Sequence, residues 1–153
     1  NVNFYDIDDL IEKDLNTSIK ELFKSHGEAY FRKVEETKIK IVINNAISKN
    51  EKAIVSVGGG AFDNQHSREL LLKNTKVIWL NVPIDILIKR IGDGSKRPMI
   101  KGNVEKSITE ILSKRVKYYS LSHHQLNAYN LTQKQITKKM IQFISPQNKK
   151  DYR

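Results

Sequence analysis

A run of β-branched residues that passes directly into three glycines constrains this chain more than any other feature. Residues 53–57 read Ala-Ile-Val-Ser-Val, and Gly58, Gly59 and Gly60 follow without a break. A short apolar run of this composition is typical of a strand buried in a parallel sheet. Glycines at its end let backbone amides approach a ligand where a Cβ would collide, although an ordinary turn also uses them.

Helices and strands are predicted to alternate around this run. A second strand is predicted over 76–81, with helices over 66–72 and 84–91, and this order indicates an α/β fold with a parallel sheet. Segment 92–103 contains three glycines, a proline and basic residues, which predicts a lid between two helices. The other predicted elements are a strand end at 3–6, helices over about 8–14, 19–26 and 28–48, a helix over 104–123, a strand over 126–130 and a capped helix from Thr132 to about 144.

Length and composition indicate one domain over residues 1–145, followed by a charged tail over 146–153. The 153 residues, 39% of them hydrophobic, suffice for a single core. No apolar run approaches the roughly 20 residues that a membrane span needs. Because the sequence contains no cysteine, it holds no disulfide or thiolate metal site. We expect a cytoplasmic monomer with no membrane partner.

Positive charge is concentrated in the later two-thirds of the chain. Residues 1–51 contain 8 Lys or Arg against 10 Asp or Glu, whereas residues 52–153 contain 19 against 7. Such a field attracts polyanions, either a nucleic acid backbone or a phosphorylated small molecule. No aromatic-interleaved basic stripe accompanies the charge, so we expect no nucleic acid partner.

Two kinds of charged side chain are candidates for chemistry. Asp6 and Asp8 follow the first predicted strand, and a spacing of two puts both carboxylates on one face if the strand continues. Capping of the next helix by Asp8 or Asp9 explains the pattern equally well. Arginines kept in a lysine-rich chain suggest bidentate binding of carboxylate or phosphate, although a surface salt bridge is the alternative for each. The four candidates are Arg32, Arg90, Arg97 and Arg115.

Taken in order, these pieces resemble the shikimate kinases, small kinases of the nucleoside-monophosphate-kinase-like fold. The resemblance runs from about Phe4 to Tyr119. It implies a three-layer, parallel-sheet P-loop kinase fold and an ATP- and Mg²⁺-dependent kinase that phosphorylates the shikimate 3-hydroxyl in chorismate and aromatic amino acid biosynthesis. The pieces are Phe4-x-Asp6-x-Asp8, Gly27-Glu28-x-x-Phe31-Arg32-x-x-Glu35, Gly58-Gly59-Gly60-Ala61, Lys96-Arg97-Pro98, and Arg115 with Tyr119.

The resemblance also implies roles for individual residues. Asp8 would hold the substrate hydroxyl as base or orienting group. Arg32 and Arg115 would clamp the shikimate carboxylate, and Glu35 would orient them. The glycines, which are Gly58, Gly59 and Gly60, would offer backbone contacts to the ring hydroxyls. On the nucleotide side, Arg97 would approach the transferring phosphoryl group, Arg90 the nucleotide, and Asp6 the magnesium shell through water. These roles suit phosphoryl transfer, which depends on positioning and charge stabilisation.

Two departures from the family pattern stand out. Lys117 occupies a position where the family usually has proline, which bears on the helix shape near Arg115. The family also needs a G-x-x-x-x-G-K-[ST] loop to cradle phosphates, yet none of the seven glycines here is followed by lysine. In the family, that loop and a central strand precede the Asp-x-Asp strand. We therefore expect about 30 further N-terminal residues, and no turnover by this chain without them.

Two alternative functions use the same residues. A sister kinase acting on another small polyol acid, such as gluconate, would also need paired arginines for a carboxylate. A non-catalytic homologue that binds ligand without turnover would explain the missing phosphate loop. The three glycines after the strand and Arg115 favour shikimate over gluconate.

Overall fold

The computed structural model describes residues 2–94, 97–100 and 102–145. The predicted tail and three lid residues, Ser95, Lys96 and Lys101, lie outside the described residues. Strands and helices alternate over most of the chain, as the sequence predicts. The elements are β1 Asn3–Asp6, α1 Ile7–Leu15, α2 Ile19–Ser48, β2 Ala53–Ser56, α3 Gln65–Asn74, β3 Ile78–Asn81, α4 Ile84–Ile91, α5 Val104–Tyr119, β4 His124–Asn127 and α6 Gln133–Ile144.

The four strands form two parallel pairs, so the predicted parallel pairing is confirmed, although the described residues do not join the pairs into a single sheet. β1 pairs with β2 in the register Asn3 to Ala53, and β3 pairs with β4 in the register Ile78 to His124. Within the described residues, β2 and β3 each hydrogen bond to one strand only. The prediction that β2 is buried is therefore wrong in part, because Ile54 keeps 45% of its surface exposed.

Two capped helices and one glycine kink build the layer that covers β1 and β2. Asp6 ends β1 and caps α1, and Ser18 caps α2 in a capping box with Glu21. Gly27 has φ 80° and ψ 174°, so α2 consists of two helical pieces that meet at this residue. The predicted separation of the 19–26 and 28–48 helices is thus confirmed.

The main core lies between α1, α2, α3 and the residues after β2. Ile7 and Ile11, one turn apart on α1, are fully buried. The buried stripe of α2 includes Phe31, Ile39 and Ile43 at helical spacing, and Glu35 lies in the same stripe. Among the helices that the structure describes, none combines the length and apolarity of a membrane span.

The chain between α5 and α6 differs from its predicted boundaries. α5 ends at Tyr119 instead of 123, because turn hydrogen bonds from Leu121 and Ser122 close the helix. The predicted strand over 126–130 is shifted: β4 begins at His124, whose backbone N–H donates to the Val77 carbonyl. The start of β4 is set by its pairing with β3, which the strand propensities of single residues do not predict.

Candidate active site

The three-glycine loop after β2 is the point on which charged side chains from several elements converge. A Cβ on Gly58 would lie 3.4 Å from Glu35 Oε1 and 3.9 Å from Asp8 Oδ2. A Cβ on Gly59 would lie 2.5 Å from the Tyr119 hydroxyl and 3.6 Å from Arg115 Nη1, and one on Gly60 would overlap the Arg32 guanidinium. Gly59 and Gly60 therefore allow the Tyr119 hydroxyl and the Arg32 guanidinium to pack closely against the loop backbone, whereas a Cβ on Gly58 would make ordinary contacts.

Arg32 is held by two carboxylates of its own helix. Its Nη1 donates to Glu35 Oε2 at 2.6 Å, and its Nε and Nη2 both lie 3.2 Å from Glu28 Oε1. Glu35 is 2% exposed although it occupies an apolar stripe, and burial raises its pKa while Arg32 opposes the rise. The ion pair compensates for burial of the carboxylate and fixes the guanidinium beside Gly60.

The two aspartates do not share one face of a strand. The helix begins at Ile7, so Asp6 is the N-cap, and its Oδ1 accepts from the backbone N–H groups of Asp8 and Asp9. The alternative in which Asp8 or Asp9 is the cap is therefore also wrong. Asp8 lies in the first turn of α1 and points toward the glycine loop.

Asp8 has the environment of a functional carboxyl group. Burial raises its pKa, the negative charge of Asp6 adds to the rise, and the positive charges of Arg32 and Arg97 oppose it. Its Oδ1 is buried and accepts no hydrogen bond from the described residues. An unpartnered oxygen at this place can accept a proton or hydrogen bond from a ligand hydroxyl.

Arg115 reaches the loop from the other side. Its Nε lies 3.5 Å from Asp63 Oδ2, and its side chain is 13% exposed. Asp63 follows the glycine loop, where Arg68 Nη1 donates to the carbonyls of Phe62 and Asp63. This support of Arg115 was not predicted, because Asp63 and Arg115 are far apart in sequence and no local pattern links them.

Glu28 was also missed as a partner of Arg32, although its i,i+4 spacing is a usable signal.

The remaining predicted residues are less closely involved. Arg97 is exposed in the segment predicted to be a lid. Its backbone N–H donates to the Gly94 carbonyl, and its charge acts on Asp8. Arg90 is exposed in the last turn of α4, and no hydrogen bond or ion pair joins it to the other predicted residues within the described chain. Among the residues that the structure describes, no group of three or more His, Cys, Asp or Glu side chains could hold a metal ion.

An open cavity of about 230 Å³ lies beside Arg32 and is lined by Glu28, Arg32, Gly60, Asp63 and Asn64. The cavity thus combines a guanidinium, a glycine backbone, an amide side chain and two carboxylates that are paired with arginines. Such a mixture suits a small ligand with one acidic group and several hydroxyls.

Comparison with known proteins identifies the family of this chain. The model of the shikimate kinase family matches residues 1–145. The chain belongs to the shikimate kinase family. A shikimate kinase of Sulfurihydrogenibium sp. is 34% identical over 141 residues, covering 92% of this chain and 81% of the relative. One from Staphylococcus aureus strain JH9 is 30% identical over 145 residues, covering 94% and 80%. The chain spans 65% of the Bartonella henselae shikimate kinase, to which it is 30% identical.

Solved shikimate kinases share the fold of this family member. The enzyme from Acinetobacter baumannii in complex with shikimate superimposes with a TM-score of 0.84 at 24% identity, covering 93% of this chain and 78% of the other. That from Bacteroides thetaiotaomicron gives 0.76 at 29% identity, covering 94% and 84%. The α/β P-loop kinase fold predicted from the resemblance is confirmed.

Proposed function

We propose that this protein is a shikimate kinase, which transfers the γ-phosphoryl group of ATP to the 3-hydroxyl of shikimate. The observation that carries the proposal is the convergence of Arg32, Arg115 and Asp8 on the glycine loop. Two guanidinium groups suit a carboxylate, and a carboxyl group with an unpartnered oxygen suits a hydroxyl. Family membership supports the same reaction.

The two arginines are proposed to bind the substrate carboxylate. Arg32 is bound by Glu28 and Glu35 of its own helix, and Arg115 forms an ion pair with Asp63. Glu28 and Glu35 take three of the five N–H groups of Arg32, which leaves one on Nη1 and one on Nη2 for a ligand and holds the guanidinium in one orientation. Preorganised donors of this kind bind an anion with little loss of side-chain entropy.

Asp8 is proposed to receive or orient the proton of the reacting hydroxyl. A raised pKa brings a carboxyl group nearer to the pH at which general bases work best. Arg32 and Arg97 oppose the rise and thereby favour the ionised form that accepts the proton. Gly58, Gly59 and Gly60 are proposed to contact ring hydroxyls through their backbone.

The nucleotide side of the reaction is proposed from fewer contacts. Arg97 would stabilise charge on the transferring phosphoryl group, and Arg90 would bind the nucleotide. Asp6 fits only an outer position around Mg²⁺, since one of its oxygens already caps α1. When bound, Mg²⁺ neutralises phosphate charge, and phosphates with water supply most of its usual ligands.

The lack of cysteine supports a reducing compartment such as the cytoplasm, and we propose a monomer.

Shikimate titration of arginine variants tests the proposal. Arg32→Ala and Arg115→Ala should each weaken shikimate binding by about 1.5–3 kcal/mol, the contribution of charge-assisted hydrogen bonds. Lys33→Ala and Lys114→Ala are matched controls, because these exposed neighbours lose the same charge on the same helices. Calorimetry should show near-parental affinity for both controls. If the arginine and lysine variants lost equal shikimate affinity, the loss would reflect overall charge alone, and the proposed carboxylate site would be contradicted.

Product analysis separates the kinase from the two alternatives. The complete gene product, supplied with ATP and Mg²⁺, should form phosphorylated shikimate and leave gluconate unchanged. Binding of shikimate without product would instead favour a non-catalytic homologue. Size-exclusion chromatography with light scattering, which measures the molar mass in solution, tests the proposal that the protein is a monomer.

A further inference from the structure

Tyr119 joins two parts of the site that are distant in sequence. Its hydroxyl donates a hydrogen bond of 3.1 Å to the Gly59 carbonyl, 60 residues away. Arg115 lies four residues earlier, on the same face of α5, and its Nη1 also approaches Gly59. Tyr119 therefore contacts the glycine loop beside one of the guanidinium groups of the site.

The surroundings of Tyr119 hold its hydroxyl in place. The ring packs against Trp79 of β3, with centroids 5.5 Å apart and a tilt of 46°. Burial raises the pKa of Tyr119, and the Arg115 charge opposes the rise. The net pKa lies above that of ordinary tyrosine, so the hydroxyl stays protonated near neutral pH and can donate.

The hydrogen bond fixes the direction of a neighbouring donor. The Gly59 carbonyl and the Gly60 N–H belong to one peptide group, and the described residues contain no cis peptide. In a trans peptide these two groups point in opposite directions. By holding the carbonyl, Tyr119 directs the Gly60 N–H away from itself, and Gly60 lines the cavity.

We propose that Tyr119 is a positioning residue, whose hydroxyl sets the orientation of the Gly59–Gly60 peptide and of Arg115 for the substrate. The inference rests on the proposed function and adds a residue for which the family resemblance gives no role. Tyr119 acts through the loop and the guanidinium, and it does not touch the reacting atoms. Its loss should therefore weaken substrate binding more than it slows phosphoryl transfer.

Tyr119→Phe in the complete gene product tests this inference, because it removes the hydroxyl and keeps the ring on Trp79. Shikimate Kd and KM should rise about 3- to 10-fold, as expected for one neutral hydrogen bond, with kcat and ADP affinity close to parental. Tyr118→Phe is the matched control, since Tyr118 is the adjacent tyrosine and packs on Arg68. It should leave shikimate Kd unchanged.

Gly59→Ala provides a second measurement. Its Cβ would lie 2.5 Å from the Tyr119 oxygen, whereas the next nearest atoms are 3.6 Å away. Gly59→Ala should therefore weaken shikimate binding strongly in the parent and much less in the Tyr119→Phe background. Additive losses, or an unchanged Kd in Tyr119→Phe, would overturn the inference. A parent protein that does not bind shikimate would overturn the proposed function instead.

Discussion

The carboxyl groups of Glu35 and Asp8 both have a buried oxygen atom. Glu35 is compensated by Arg32, yet its Oε1 accepts no hydrogen bond from the described residues. Asp8 has an unpartnered buried oxygen as well, and its charge contributes to the raised pKa of Glu35. Groups that bind a ligand often carry such a penalty, since the ligand supplies the missing partner.

Replacement of Asp8 should reveal this penalty as a pH-dependent gain in stability. The folded-state pKa is raised, so ionised Asp8 destabilises the folded chain at pH values above both pKa values. Below the ordinary aspartate pKa of about 3.9, the carboxyl is neutral in both states and the penalty disappears. Near neutral pH, Asp8→Asn should therefore unfold at a higher urea concentration than the parent. At about pH 3, the urea midpoint of Asp8→Asn should be no higher than that of the parent.

A control and an activity assay complete the Asp8 experiment. Asp9→Asn changes an exposed residue in the same helical turn and should give no gain, because it removes a charge that favours a helix N-terminus. Asp8→Asn should also abolish phosphoryl transfer by the complete gene product. A variant less stable than the parent at neutral pH would show that the Asp8 carboxylate stabilises the fold.

The kink in α2 sets the position of Arg32, the arginine that is proposed to bind the substrate. Gly27 lies in a backbone region that is essentially restricted to glycine, with φ 80° and ψ 174°. The second helical piece starts at Glu28 and presents Arg32 one turn later to the glycine loop. Nothing lies within 4 Å of a Cβ placed on Gly27, so its requirement is conformational rather than steric.

Gly27→Ala should therefore destabilise the fold through backbone strain. We expect a loss of about 1–3 kcal/mol in the free energy of unfolding, measured by urea titration. Lys24→Ala, at an exposed position of the same helix, should stay within about 0.5 kcal/mol of the parent. Similar stabilities for the two variants would mean that α2 tolerates a continuous helix here.

At the scale of the whole molecule, tight packing is unequal between the two strand pairs. The buried cluster joins α1, α2 and α3 with Ala61 and Phe62 after β2. Among the described residues outside that cluster, the buried apolar side chains are Ile108 of α5, Leu126 of β4 and Ala128 after it, and α6 buries none of its described side chains. Asp8, Arg32 and Glu35, three of the proposed site residues, thus lie on the better-packed part.

Hydrogen exchange should reproduce this inequality. Backbone amides over 31–43 in α2 should exchange more slowly than those over 135–144 in α6, because local opening costs less where few apolar contacts are lost. Mass spectrometry of peptic peptides, corrected for intrinsic exchange rates, measures the difference. Equal protection in both helices would indicate one cooperative unit.

Several features of the fold depend only on residues that are neighbours in sequence. The capping boxes at Ser18 and Thr132, the break at Gly27 and the alternation of strands and helices follow from local backbone chemistry. The order of the motifs also sufficed to identify the family and its fold.

Tertiary structure decided the features that join distant residues. Pairing with β3 fixed the start of β4, and helix formation from Ile7 made Asp6 the cap while turning Asp8 toward the glycine loop. The contacts of Asp63 with Arg115 and of Tyr119 with Gly59 exist only after α5 packs against the end of β2. These contacts depend on the closure of long loops, and no local pattern of residue types encodes such closure.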